Sequence, residues 1–171
     1  MQNRKNQNKR LIISVVSGTL MLLLYLLIFT FSEQDGEQSG NLSALVSQIC
    51  VDFLNLLSGG RWTELFLQEL AIYFENPVRK LAHFTEYAIL GILIDIFLSQ
   101  WMRKGKRFYG TLILWIFLSA VSDELHQYFV PGRWASPLDV LLDTCGGVFA
   151  VWVITLCAKA RDKKRQRNEG K

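Results

Sequence analysis

The stretch LIISVVSGTLMLLLYLLIFTF, residues 11–31, decides the fold class, because its 21 residues include no charged side chain. At about 1.5 Å of rise per residue, a helix of this length spans roughly 30 Å, the thickness of the hydrocarbon core of a bilayer. A buried helix in a soluble domain of 171 residues does not need such a length. The stretch therefore predicts a transmembrane helix.

The residues before this helix resemble the start of a signal peptide. Arg4, Lys5, Lys9 and Arg10 form a basic segment ahead of the apolar run. The run is longer than the apolar region of a signal peptide, however, and no small-x-small cleavage site follows Phe31. We therefore predict a signal anchor that stays in the protein.

Three further apolar segments follow, at about residues 81–98, 108–128 and 138–158. Each is long enough to cross a bilayer as a helix. The sequence thus predicts an all-α, polytopic membrane protein with four transmembrane helices. One or two amphipathic helices are expected in the segment 32–77, between the first two.

The net charge of +4 is compatible with nucleic-acid binding, but the placement of the charges is not. The basic residues stand in short clusters beside the apolar segments, which is typical of membrane proteins. The three cysteines, Cys50, Cys145 and Cys157, lie far apart and lack the paired spacing of metal ligands. We therefore expect the lipid bilayer as a partner, and no nucleic acid, metal or cofactor.

The distribution of Lys and Arg predicts the topology. Fifteen of the 19 basic residues lie in the N-terminal segment 1–10, the loop 103–107 and the tail 159–171. Four alternating helices place these three segments on one side, and an excess of Lys and Arg marks the cytoplasmic side. We predict a multi-pass protein of the cell membrane with both termini in the cytoplasm. The charged tail is expected to be solvated and disordered.

The segment 32–77 is then extracytoplasmic. Residues 32–41 are polar and are expected to form a mobile linker. Two stretches with helical spacing of apolar residues follow, on either side of the pair Gly59–Gly60. Two interpretations stay open, because short helices there would lie on the outer membrane interface or pack on the outer ends of the transmembrane helices.

Ionisable side chains are costly inside a bilayer and often mark functional sites. The second apolar segment opens with polar residues on one side of a helix, at about 100° per residue. The third segment ends with a polar arc, and the fourth opens with another. In chain order these residues are Lys80, His83, Glu86 and Tyr87, then Asp123, Glu124 and Gln127, with His126 less certainly included, and finally Arg133, Ser136, Asp139 and Asp143.

All three polar stretches fall at the predicted outer side, so the antiparallel helices can bring them together in one site. Gly146 lies on the same helical stripe as Asp139 and Asp143 of the fourth segment, and its lack of a side chain lets a neighbouring helix come close. The alternative is structural. Asp123, Glu124 and Arg133 would then form an ion-pair network that pins the outer loop.

Simpler interpretations also exist for the second segment. Lys80 can extend to the membrane interface, where its amine stays in water. His83 and Glu86 can form a buried hydrogen-bonded pair that only fixes helix packing. Asp95, near the other end of the segment, is expected to lie close to Arg103.

Two sequence blocks resemble the VanZ-like family of bacterial membrane proteins. RKLAHFTEYAILG, residues 79–91, is similar to the family's K-x-x-H-F-x-E-Y-x-x-L-G motif. SDELHQYFVPGRWASPLDVLLDTCGG, residues 122–147, is similar to its second block. The resemblance covers about residues 78–153, which leaves out the segment 32–77. The family pattern usually has Asn where this chain has Asp143.

The resemblance implies a bacterial cell-envelope role, since the founding member is associated with resistance to the lipoglycopeptide teicoplanin. The leading hypothesis is a protein that binds or alters a lipid-linked or lipophilic envelope ligand and lowers the action of teicoplanin. The residues expected to bind the ligand are Lys80, Tyr87, Gln127, Arg133, Ser136 and Asp143.

Two alternatives stay open. One is an intramembrane enzyme that uses acid–base or metal-dependent chemistry on a lipid substrate, because a histidine beside carboxylates can transfer protons near neutral pH. The other is a small proton-coupled transporter. The hypothetical catalytic residues are His83, Glu86, Asp123, Glu124 and Asp139.

Overall fold

The computed structural model describes residues 2–169, and these form five α-helices without a β-strand. The helices are α1 (Gln2–Ser32), α2 (Gly36–Leu57), α3 (Glu64–Leu98), α4 (Lys106–Tyr128) and α5 (Pro137–Glu169). The all-α prediction is confirmed. All five helices are long and apolar enough to cross a membrane, so length and composition do not fix the number of spans at the expected four.

Helices α1, α3, α4 and α5 form a bundle whose core is small. Its centre contains Tyr87, Leu90 and Ile94 of α3 together with Leu112 and Ile116 of α4, all almost completely buried. Large apolar side chains cover much of the outer surface, as a lipid-facing surface requires. On α1 the exposed ones include Leu11, Ile12, Val15, Leu22, Leu23 and Leu26.

Glycines bring α3 and α5 into close backbone contact. A Cβ atom added to Gly91 of α3 would lie 2.5 Å from the carbonyl oxygen of Gly147 in α5. A Cβ atom on Gly146 would overlap the carbonyl oxygen of Phe84. Small residues at a helix interface allow this approach inside membranes. The packing of α3 on α5 therefore depends on the absence of side chains at these positions.

The polar ends of the helices meet at one end of the bundle, which we call the site end. Ser32 at the end of α1 contacts Asp123 near the end of α4, and Lys80 of α3 contacts Asp139 at the start of α5. The start of α1, the α3–α4 loop and the end of α5 therefore lie at the opposite end. This opposite end contains the three basic clusters of the sequence, at residues 4–10, 103–107 and 159–167.

The segment 32–77 differs from its expected organisation. Helix begins at Gly36, within the expected mobile linker. The second amphipathic stretch is not a separate helix, because it forms the first part of α3 and continues through Pro77. Gly59 and Gly60 adopt positive φ angles that end the preceding helix, and the Thr63 side chain then caps the start of α3.

Helix α2 packs on α3 through its small side chains. Ser39, Ser43, Ser47 and Val51 are buried, at a spacing of four residues. The apolar stripe of α2 is exposed instead, which argues against packing of this stripe on the ends of the transmembrane helices. Its exposed members are Leu42, Leu45, Val46, Ile49, Phe53, Leu56 and Leu57.

Two expectations at the opposite end are corrected. The tail is helical through residue 169, because α5 continues past the apolar segment, and its charged residues from Lys159 to Arg167 are exposed. Residues 1, 170 and 171 lie outside the described part of the chain. Asp95 pairs with Lys104, at 2.9 Å, rather than with Arg103, because the α3–α4 turn brings the Lys104 amine over the end of α3.

Candidate functional site

A polar cavity of about 310 Å³ opens at the site end, between α3, α4, α5 and the loop 129–136. Most residues predicted to form the site line it, and they come from three helices and one loop. The structure therefore brings together residues that lie up to 63 positions apart, between Lys80 and Asp143. Lining residues from the predicted set are Lys80, His83, Glu124, Gln127, Arg133, Asp139 and Asp143.

Lys80 forms an ion pair across the mouth of this cavity. Its Nζ lies 2.7 Å from Oδ1 of Asp139, and both side chains are partly exposed. The pair joins α3 to the first turn of α5. An exposed pair of this kind adds little to stability. The Lys80 amine and the Asp139 carboxylate are therefore accessible to a ligand at the cavity entrance.

Asp123 joins α4 to α1 through buried hydrogen bonds. Its Oδ1 accepts a bond from the Ser32 hydroxyl at 2.5 Å, and its Oδ2 accepts one from the Gln127 amide at 3.0 Å. The same amide also lies 3.3 Å from the Ser32 oxygen. Asp123 is only 2 % exposed, so these hydrogen bonds replace the hydration that the carboxylate loses on burial.

Arg133 connects the α4–α5 loop to α1 and α2. Its guanidinium donates to the carbonyl oxygens of Phe31 and Ser32 and to the hydroxyl of Ser39. The two carbonyls belong to the last turn of α1, where no intrahelical donor is available. Burial lowers the pKa of Arg133 from its ordinary value, as does the charge of Arg79. The nearby carboxylates oppose this shift.

Glu124 positions the start of α5. Its Oε2 accepts a hydrogen bond of 2.7 Å from the backbone N–H of Ser136, just before Pro137 begins the helix. A carboxylate at this place also interacts favourably with the helix dipole. Ser136, one of the residues expected to bind the ligand, therefore contributes its backbone N–H to the site.

His83 and Asp143 lie deeper in the cavity. Nδ1 of His83 is 3.8 Å from Oε2 of Glu86, too far for a hydrogen bond. Neither His83 Nδ1 nor either carboxylate oxygen of Asp143 has a hydrogen-bond partner within the described residues. A nitrogen of His83 and oxygens of Asp123 and Asp143 lie within 4.8 Å of one another, and these three residues could hold a metal ion.

Five candidate residues do not line the polar cavity: Glu86, Tyr87, Asp123, His126 and Ser136. Tyr87 is buried in the bundle core, and Glu86 faces a neighbouring cavity of about 160 Å³ beside α2. His126 packs edge-on against the ring of Phe29, with ring centres 5.4 Å apart. His126 lies on the face of α4 that packs against α1.

An apolar groove of about 480 Å³ runs between α1 and α4. Its inner wall includes Tyr87 and Asp123. The Tyr25 hydroxyl bonds to Ser119 at 2.6 Å and receives a bond from the Trp115 ring nitrogen at 3.1 Å, so polar groups of the two helices meet beside the groove. Its apolar walls are formed by Ile28, Phe29, Leu114, Trp115 and Leu118.

Several residues at the site were not predicted from the sequence. Ser32 and Ser39 take part in its hydrogen bonds, although each is a lone serine with no motif around it. Arg79 and Trp134 line the cavity, and both occur within the quoted sequence blocks. Only their position in those blocks could have pointed to them.

The chain was compared with known families and proteins. The family model described as VanZ/LLP1 matches residues 18–158. The match therefore begins in α1 and includes the segment 32–77, which lies outside the resemblance inferred from the two sequence blocks. No curated protein and no solved structure matched the chain in these comparisons.

Proposed function

The chain belongs to the VanZ/LLP1 family, and from this premise we propose that it is a multi-pass protein of the cell membrane that binds a lipid-linked or lipophilic envelope ligand. The polar cavity receives the headgroup and the α1–α4 groove receives the apolar chain. With the basic clusters in the cytoplasm, as the excess of Lys and Arg favours, the site end faces outward. Both chain termini are then cytoplasmic.

The observation that carries this proposal is the proximity of a polar cavity and an apolar groove. Asp123 lies in the wall of the groove, and its hydrogen-bond partner Gln127 lines the cavity. An amphipathic molecule needs this combination, because its headgroup and its chain require surroundings of opposite polarity. Ligand sites are commonly built between helices of a bundle.

The cavity is lined by side chains of both charge signs, which suits a headgroup with an anionic part and additional hydrogen-bonding groups. Arg79, Lys80 and Arg133 supply positive charge, and a guanidinium can contact two oxygens of a phosphate at once. The carboxylates of Glu124 and Asp139 supply acceptors for hydroxyl or amide groups. A lipid-linked precursor of the cell envelope offers both chemistries, and binding of it would lower the action of teicoplanin.

The resistance part of the proposal is tested in a susceptible Gram-positive host. We expect the wild type to protect against teicoplanin more than against vancomycin, and Glu124→Ala and His83→Ala to lose that protection while still inserting into the membrane. Glu69→Ala, at an exposed position of α3 outside the cavity, is the control and should protect as the wild type does. If the wild type protects against neither antibiotic at matched membrane levels, resistance is not its role.

The groove is tested by filling it. We expect Leu114→Trp to weaken binding of a fluorescent polyprenyl phosphate to the purified protein about tenfold, since overpacking typically costs about 1–3 kcal/mol. Leu125→Trp is the matched control, because both leucines are exposed residues of α4 and only Leu114 lines the groove. Equal binding by the two variants would remove the groove from the proposal.

An enzyme is the second candidate, and the position of His83 favours it. Its imidazole lies near Glu86 and close to the carboxylates of Asp123 and Asp143, inside a cavity large enough for a headgroup. A histidine in such surroundings can act as a general acid or base. Turnover of a labelled lipid-linked precursor by the wild type, lost in His83→Ala, would favour catalysis over binding alone.

A further inference from the structure

We propose that His83, Asp123 and Asp143 bind a divalent transition-metal cation, with Zn²⁺ as the best match to their chemistry. The three residues come from α3, α4 and α5, so the ion would tie these helices together at the floor of the polar cavity. The inference does not depend on the identity of the envelope ligand, because metal binding can be measured without that ligand.

The geometry of the three side chains is the first support. Each offers one ligand atom, and these atoms lie within 4.8 Å of one another. Two ligand atoms at about 2.1 Å from a tetrahedral zinc ion are about 3.4 Å apart. Closure around an ion therefore needs a movement of less than about 1 Å by each ligand atom, which side-chain rotation can supply.

The environment of Asp143 is the second and independent support. Asp143 is 1 % exposed, and neither of its carboxylate oxygens accepts a hydrogen bond within the described residues. Buried polar groups almost always have partners, and each exception needs an explanation such as an ion or a water molecule. A cation between Asp143 and Asp123 would provide the missing partner.

The nearby basic side chains do not supply a partner for the Asp143 carboxyl group. Lys80 is paired with Asp139, and Arg133 donates its hydrogen bonds to oxygens of α1 and α2. No Lys or Arg of residues 2–169 forms an ion pair with Asp143. The carboxyl groups of the two aspartates therefore have no close cation from the described chain.

The ligand types favour zinc over magnesium or calcium. An imidazole nitrogen is a preferred ligand of zinc, and zinc also binds aspartate oxygens, whereas magnesium and calcium prefer sites of oxygen alone. The hydrogen bonds from Ser32 and Gln127 fix the orientation of Asp123. Partners of this kind raise metal affinity by holding a ligand in place.

The experiment uses the full chain, purified in detergent, freed of metal with a chelator and titrated with Zn²⁺ by calorimetry. We expect about one Zn²⁺ per chain for the wild type. Asp143→Asn should bind at least about tenfold more weakly, because loss of even an outer-shell partner weakens binding about 10–100-fold. Asp95→Asn, on the same helix as His83 but paired with Lys104 at the opposite end, should bind as the wild type does.

The unfolding temperatures of the wild type and the variant show whether weaker zinc binding results from a folding defect. Without metal, Asp143→Asn should unfold at about the same temperature as the wild type, since an amide replaces a carboxyl group of nearly the same size at the same place. Added Zn²⁺ should raise the unfolding temperature of the wild type more than that of the variant. Absence of zinc binding by the wild type, or an equal response of both proteins, would overturn the proposal.

Discussion

Replacing Gly146 by alanine is expected to prevent correct packing of α3 on α5. The added Cβ atom would overlap the carbonyl oxygen of Phe84, and backbone on both sides leaves no flexible side chain to move aside. A Cβ atom on the adjacent Gly147 would lie 2.9 Å from the Ile116 side chain and 3.0 Å from the carbonyl oxygen of Tyr87, so α5 is closely packed at this position too. We expect a loss of more than about 3 kcal/mol in the free energy of unfolding. The yield of monodisperse protein and its unfolding temperature in detergent measure this loss.

Gly110→Ala is the control for this prediction. Gly110 lies in α4, and an added Cβ atom has no heavy atom within 4 Å. Alanine is better than glycine in a helix interior by about 1 kcal/mol, so this variant should be slightly more stable than the wild type. A Gly146→Ala protein as stable as the Gly110→Ala protein would show that α3 and α5 do not approach as closely as described.

Replacing Arg133 by alanine is expected to release the end of α1 and the start of α2 from the bundle. The variant loses the donors to the carbonyls of Phe31 and Ser32 and to the Ser39 hydroxyl. A hydrogen bond to a charged donor contributes about 1.5–3 kcal/mol. Because these three bonds are only partly buried and water can replace them in part, we expect a total loss of about 2–4 kcal/mol. Hydrogen exchange should become faster around residues 28–43 while the core of α3 and α4 stays protected.

Arg133→Lys distinguishes the loss of geometry from the loss of charge. Lysine retains the positive charge but cannot reach several acceptors with a planar group, so it should restore only part of the stability. Arg103→Ala, at the opposite end of the bundle, is the control and should leave exchange around residues 28–43 unchanged. Unchanged exchange in Arg133→Ala would mean that other contacts hold α1 and α2 in place.

The two packing predictions bear on how the site is built. The α3–α5 interface aligns Lys80 with Asp139, and the Arg133 contacts bring Ser32 close to Asp123. A variant that loosens either interface should therefore also weaken ligand binding and zinc binding. Variants within the cavity, such as Glu124→Ala, should weaken binding without a comparable loss of the bundle.

The sequence alone predicted the membrane class, the helical fold and most residues of the polar cavity. These features depend on local composition, because an uncharged run such as residues 11–31 and a polar stripe on one helix are visible without knowledge of neighbouring helices. The glycine at position 146 was also recognised as a place of close approach. The two sequence blocks predicted the family, which the match to residues 18–158 confirms.

Only the tertiary structure decided which partners these residues have. Helical periodicity assigns a residue to a face, but it does not say which helix covers that face. Tyr87 shares a stripe with Lys80 and His83 yet lies in the core, and α2 buries its serines while its apolar stripe stays exposed. The contacts of Asp123 with Ser32, and of Arg133 with the end of α1, join residues about a hundred positions apart. Such contacts arise from the packing of whole helices, which no local pattern in this sequence encodes.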